Sequence, residues 1–170
     1  MARNATNRRG GGLPDRSRGM GGKYFDGWQT VITQGDYFGR WTSHIDATPA
    51  RKDNAELLLA AVANFEAALP DLSITTNPIT QTCISGASYG GFRPQSCQIG
   101  AEHSAHKEGL AIDLYDPENE IDDYIDTFEA NGSNVFLADL GLYREAPAST
   151  PGWCHLTIRP PPSHKRTFKP

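Results

Sequence analysis

Cysteine is scarce in this chain. Cys83, Cys97 and Cys154 form a small, odd-numbered set, which argues against a disulfide scaffold. Long apolar runs are missing too. No stretch approaches the roughly 20 residues that a membrane helix needs, so a spanning helix is excluded. The first residues offer Gly and Arg where a secretory signal would carry an apolar core, so Sec-type export is not expected. No Gly-x-Ser-x-Gly stretch occurs, so a serine nucleophile on a strand-to-helix elbow is not implied.

What the chain does have is 38% hydrophobic residues, with 17 Gly and 12 Pro, which suits a loop-rich fold over a helical bundle. At 170 residues it fits one soluble domain and is too short for two full ones. Its formal net charge is −4, unevenly placed. Residues 1–22 hold Arg3, Arg8, Arg9, Arg16 and Arg18 against Asp15, a net of +4, so residues 23–170 carry −8. That first stretch is Gly-rich and almost free of large apolar side chains, so it cannot bury enough surface to offset its ordering entropy. A flexible arm over 1–22 is expected, either a solubilising tail or a segment that orders against a partner protein. With an acidic body, nucleic acid is not an expected partner, and neither is a membrane.

Residues 23–50 are aromatic-rich and irregular, with Tyr24, Phe25, Trp28, Tyr37, Phe38 and Trp41, and read as a segment pinned by its rings to the domain surface or to a neighbour. Asp53-Asn54-Ala55-Glu56 has the form of a capping box, and the spacing that follows predicts a helix over 54–69, stopped by Pro70. Its apolar line is Leu57, Ala61, Phe65 and Leu69, with Leu58 and Val62 beside it. Residues 72–76 alternate as a strand would, residues 77–100 read as loop, and 110–114 as a short buried strand. Ile121, Tyr124, Ile125 and Phe128 give a second helical face, ended near Gly132. Two strands, 142–145 and 153–158, follow around a turn, and the prolines at 160–162 are expected to end sheet pairing. The class is α+β, a small mostly antiparallel sheet with helices to one side.

Chemistry concentrates in two stretches. Residues 104–113 place His106 in a loop, Gly109 at a turn and Asp113 inside an apolar strand, where a carboxylate is costly to bury unless paired or metal-bound. Residues 153–156 place His155 in a β pattern between large apolar neighbours. Two imidazoles and a carboxylate form a tripod suited to zinc, with the fourth position left for water. A hydrogen-bonded His–Asp pair without metal is the plainer alternative. His103 is a lesser ligand candidate, and Cys154 should point to the opposite face of its strand. Cys83 and Cys97 are either a disulfide or two reduced thiols. The acidic run 116–123 lacks EF-hand spacing and reads as a solvated helix start.

The pattern Ser104-x-His106-x-x-Gly109-x-Ala111-x-Asp113, followed some forty residues later by Trp153-x-His155, resembles the zinc D-Ala-D-Ala carboxypeptidase family, which shares its fold with the Hedgehog signalling domain. Within it, a helix after Asn54, the Ser85-Gly86 and Arg93-Pro94 segments, and the ending Arg166-x-Phe168-x-Pro170 are similar to a small phage-borne branch. The similarity covers roughly residues 34–170. It implies a Hedgehog/DD-peptidase-like fold, with a zinc peptidase-like domain over 51–170. It also implies His106, Asp113 and His155 as zinc ligands, Arg93 as the arginine that binds substrate near the scissile bond, and Ser104 as a support beside the metal.

The departure lies in the general base. Many relatives place Glu or Asp three residues before the last histidine ligand, where this chain has Gly152. A substitute is Glu145. If 142–145 and 153–158 pair with an even register sum, Glu145 shares the face of His155; an odd sum turns it away. The resemblance implies a peptidase acting on bacterial cell-wall peptides, made in a phage host's cytoplasm. The alternative is a weak or inactive virion component of a tail or baseplate, whose N-terminal arm binds other virion proteins. Either form is compatible with incorporation in a virion.

Overall fold

A computed structural model describes residues 32–69, 76–87, 89–130 and 136–170. The arm 1–22, the rings of Tyr24, Phe25 and Trp28, Pro70, Gly132 and the expected strand 72–76 up to its last residue lie outside those residues. Among the described residues no helix is long and apolar enough to cross a membrane.

The segment before residue 51 is not an irregular appendage where it is described. Helix α1 spans Gln34–Phe38, opened by a capping box between Thr33 and Asp36. Tyr37 and Phe38 are each 2% exposed and belong to the core. Tyr37 donates its hydroxyl hydrogen bond to the Ala111 carbonyl at 2.8 Å, and the Phe38 ring packs on Phe92 at 4.8 Å between centroids. Tyr37 and Phe38 thus fix the described part of the segment inside the core, not on the domain surface or a neighbour as expected.

Helix α2 spans Pro49–Ala67 and so starts five residues before the expected 54. Thr48 caps it, its side chain accepting from the Arg51 amide, and Pro49 sits in the first turn, where a missing N–H costs nothing. Asp53 is therefore an interior residue. Buried positions are Ala55, Leu58, Leu59, Val62, Phe65 and Glu66, while Leu57 stays 65% exposed. An i, i+4 line drifts about 40° per step around a helix, so Leu57 at the start of the expected line turns outward, while Phe65 and Leu69 at its far end and Leu58 and Val62 beside it lie in the core.

Strand β1 (Ala111–Tyr115) is followed by helix α3 (Glu120–Ala130), the short helix α4 (Phe136–Asp139), and strands β2 (Tyr143–Glu145), β3 (Trp153–Thr157) and β4 (Thr167–Phe168). The sheet order is β1-β3-β2-β4. β3 pairs antiparallel with both β1 and β2, and β4 pairs parallel with β2, so the sheet is mixed. The prolines at 160–162 do not end sheet pairing. They carry the chain out of β3, and it returns on the far side of β2, where the Arg166 and Phe168 carbonyls accept from the Arg144 and Ala146 amides at 2.7 Å each. The outer edge of β1 is covered by the loop that precedes it, through Tyr115 N–H to Cys83 O, Ser85 N–H to Asp113 O and Asp113 N–H to Gly90 O.

One sheet face makes the core: Ile112, Leu114, Cys154 and Leu156 are all 0% exposed. Arg144 lies on this face as well, its side chain 2% exposed. Its two terminal amino groups pair with the Asp122 carboxylate at 3.1 Å, the Asp122 carbonyl at 2.9 Å and Asp126, while Nε has no partner among the described residues. The acidic run is thus only partly a solvated helix start. Asp116 accepts from the Ile121 and Asp122 amides at 3.2 Å each, and both Asp116 and Asp122 are buried. All three cysteines are free, and Cys154 points into the core, as expected of a residue beside His155.

Candidate metal centre

The opposite sheet face carries the chemistry. His106 lies in a 3-10 turn, Ala105–Glu108, closed by Gly109 at φ +77°, a left-handed conformation suited to glycine. A Cβ at Gly109 would also meet the Arg51 carbonyl at 2.4 Å. Helix α2 holds this turn from outside. Asn54 Nδ2 donates to the Glu108 carbonyl at 2.8 Å, and Arg51 pairs with the Glu108 carboxylate at 3.3 Å.

The His106 ring is fixed by a hydrogen bond from Nδ1–H to the Gly91 carbonyl, 2.8 Å. Gly91 must be glycine, because a Cβ there would lie 2.1 Å from the Tyr37 carbonyl. With Nδ1 committed as donor, Nε2 presents a lone pair. It faces Asp113 Oδ1 at 3.2 Å and His155 Nδ1 at 3.3 Å. Asp113 Oδ1 and His155 Nδ1 are 2.7 Å apart, set by β1–β3 pairing that places the two residues directly opposite.

Two imidazole nitrogens and an anionic oxygen thus meet at one point. A lone pair aimed at a carboxylate is repulsive unless a cation or proton lies between them. Donor atoms around a tetrahedral ion with bonds of about 2.0–2.1 Å are about 3.3 Å apart. Two of the three edges match, and the third closes to hydrogen-bond length. The buried group of His106, Asp113 and His155 can therefore hold a metal ion.

The electrostatics agree. Burial pushes the pKa of His106 down, aided by the charges of Arg93 and His155, against the pull of Asp113. The neutral, ligating imidazole is favoured. Burial alone would raise the Asp113 pKa, but the charges and hydrogen bonds of His106 and His155 outweigh it and hold the carboxyl well below the usual range.

Tyr143 and Arg144 pair with Thr157 and Leu156, so the next step of the ladder sets Glu145 opposite His155, Cβ atoms about 5 Å apart. The even register holds, and His155 stands between Asp113 on one flank and Glu145 on the other. Burial raises the Glu145 pKa, reinforced by Asp113 and offset by His155. Arg93 is buried and donates from Nη2 to Asp113 Oδ2 at 2.8 Å, so it grips the ligand carboxylate. Its other amino group lies near Gly100, whose added Cβ would come within 2.9 Å of Nη1. Ser104 lines the same cavity and makes no side-chain hydrogen bond among the described residues. His103 is exposed at the rim and is not part of the donor group. Gly152 holds φ +91°, where an acidic side chain would be strained.

Sequence reasoning missed Gly91 as the acceptor that orients His106. No local pattern announces a carbonyl brought in from a loop 15 residues away. The tripod opens into a cavity of about 530 Å³ whose walls include Trp153, Ile99, Phe168 and Pro160. No family model, curated protein or solved structure matches the chain.

Proposed function

We propose that this protein is a zinc-dependent peptidase acting on bacterial cell-wall peptides. The convergence of His106 Nε2, Asp113 Oδ1 and His155 Nδ1 at the floor of an open cavity carries the reading. The donor set, two imidazoles and one carboxylate oxygen, favours zinc over the all-oxygen cations. The substrate class is supported by the resemblance of residues 104–113 and 153–155 to zinc D-Ala-D-Ala carboxypeptidases, which also supports a phage source.

When bound, zinc would polarise the scissile carbonyl and bring the pKa of a water toward about 7. The chain's own groups would do the rest. Glu145 takes the proton from the attacking water and returns it to the leaving nitrogen, a task that suits a carboxyl whose pKa burial has raised. Arg93 fixes Asp113 through Oδ2, which keeps Oδ1 turned to the histidines. Its second amino group is proposed to donate to the substrate carbonyl as charge develops on its oxygen. Ser104 opens the turn that carries His106, its carbonyl accepting from the Lys107 amide at 3.0 Å.

The test is metal content and turnover on purified peptidoglycan. About one equivalent of zinc is expected, with peptide release that stops on chelation, returns with zinc and is absent in His106→Ala. Bound zinc with no release from any wall preparation overturns the peptidase reading and leaves the virion scaffold.

A further inference from the structure

The cleft does not end at the tripod. Trp153, His155, Thr157 and Arg159 occupy alternate positions along β3 and the residues just after it, and all four line the cavity. The metal donors therefore sit part-way along a trough, with Trp153 toward one end and Arg159 toward the other.

Arg159 is held as few half-exposed arginines are. Its amide donates to Thr157 Oγ1 at 3.0 Å, and the preceding Ile158 amide donates to Leu110 O at 3.0 Å, so the backbone stays fixed past the strand end. Its Nη1 donates to the His103 carbonyl at 2.7 Å, which bridges the two banks of the trough. The rest of the guanidinium fork meets no carboxylate among the described residues. This cation stands beside apolar walls, in a part of the chain that carries a net −8. Low-dielectric walls strengthen its attraction for an anion.

We propose that Arg159 is a specificity residue that receives a carboxylate of a peptide running through the trough, so that the substrate is acidic on the side of the scissile bond away from Trp153. A pre-anchored fork with unused donors matches a carboxylate in two hydrogen bonds, which a neutral amide cannot do. The proposal rests on the peptidase reading for the scissile bond, but its test does not use turnover.

The probe is a set of end-blocked alanine hexapeptides with one glutamate walked through the six positions, each paired with its glutamine twin. Binding is measured by calorimetry on zinc-loaded Glu145→Gln protein, so that the peptides stay intact. At one position glutamate should bind about tenfold tighter than glutamine, an advantage that shrinks between about 50 and 300 mM salt. Arg159→Gln should bring the pair within about twofold, and Arg159→Lys should retain part of the preference. Lys169→Gln should leave it intact, since β4 runs parallel to β2 and carries residue 169 toward the Trp153 end. Equal affinities at all six positions, no binding at all, or a preference that survives Arg159→Gln overturns the proposal. Wild-type protein that digests peptidoglycan without a glutamate preference loses only this subsite. A preference without digestion loses only the peptidase.

Discussion

At the scale of single residues, Glu145 and Glu66 show two fates of a partly or fully buried carboxyl. Glu145 lines the cavity beside the candidate donors, and under the proposed function Glu145→Gln should lower turnover by about 10²–10⁴-fold while zinc content stays at wild-type level. Unchanged turnover would assign the proton to another group. Glu66 is 1% exposed on α2, its Oε1 has no partner, and burial raises its pKa from 4.5 to about 8. The folded state keeps that proton where the unfolded chain has lost it. Stability should therefore fall as pH rises from about 4.5 to about 8 and level off above. In urea unfolding at pH 5 and pH 9, Glu66→Gln should lose less stability than wild type over that interval; an identical loss would refute the assignment. The candidate donors were legible in the sequence because His106, Asp113 and His155 are chemically conspicuous in apolar company. It left Glu66 unread, because a carboxyl among Leu and Ala in a helix looks like an ordinary exposed position until the packing is known.

At the scale of elements, register decides the chemistry. Asp113 meets His155 and Glu145 flanks it because β3 pairs in step with both neighbours, and a slip of one residue would turn each of these side chains to the core face. The even register could be set out from sequence as one of two parities, but only strand pairing chooses between them. Two signals compete for the start of α2, and Thr48-Pro49 wins over Asp53. The parallel strand β4 was hidden by its length, since Thr167–Phe168 is too short for any periodicity. Arg144 joins β2 to α3 through Asp122 and Asp126. Arg144→Ala should cost about 3–5 kcal/mol in urea unfolding, because it leaves Asp122 buried and unpaired. The pair Arg144→Met with Asp122→Leu should recover much of that loss. A single variant that unfolds at the wild-type midpoint would show that the network carries no net stability.

At the scale of the whole molecule, the donors come from a turn braced by α2 and from two strands of the sheet, so an ion bound there ties these parts together. Zinc at about 100 times its dissociation constant should add about 2.7 kcal/mol to folding, read as an upward shift in melting temperature that chelator removes and Asp113→Ala abolishes. A melting curve indifferent to both would mean that no ion binds the folded state. The helices contribute their packing whether or not the ion is present, which is why much of the class was legible from amphipathic spacing while the centre depended on a few residues. Asp113 and His155 are separated by 42 positions and His106 and His155 by 49. A ribosome making this chain has produced every helix found among the described residues and two of the three donors before it reaches codon 155. Because β3 is the strand that joins β1 to β2, a copy cut short of that codon lacks the middle of the sheet as well as the third donor, so sheet and donor group are completed together.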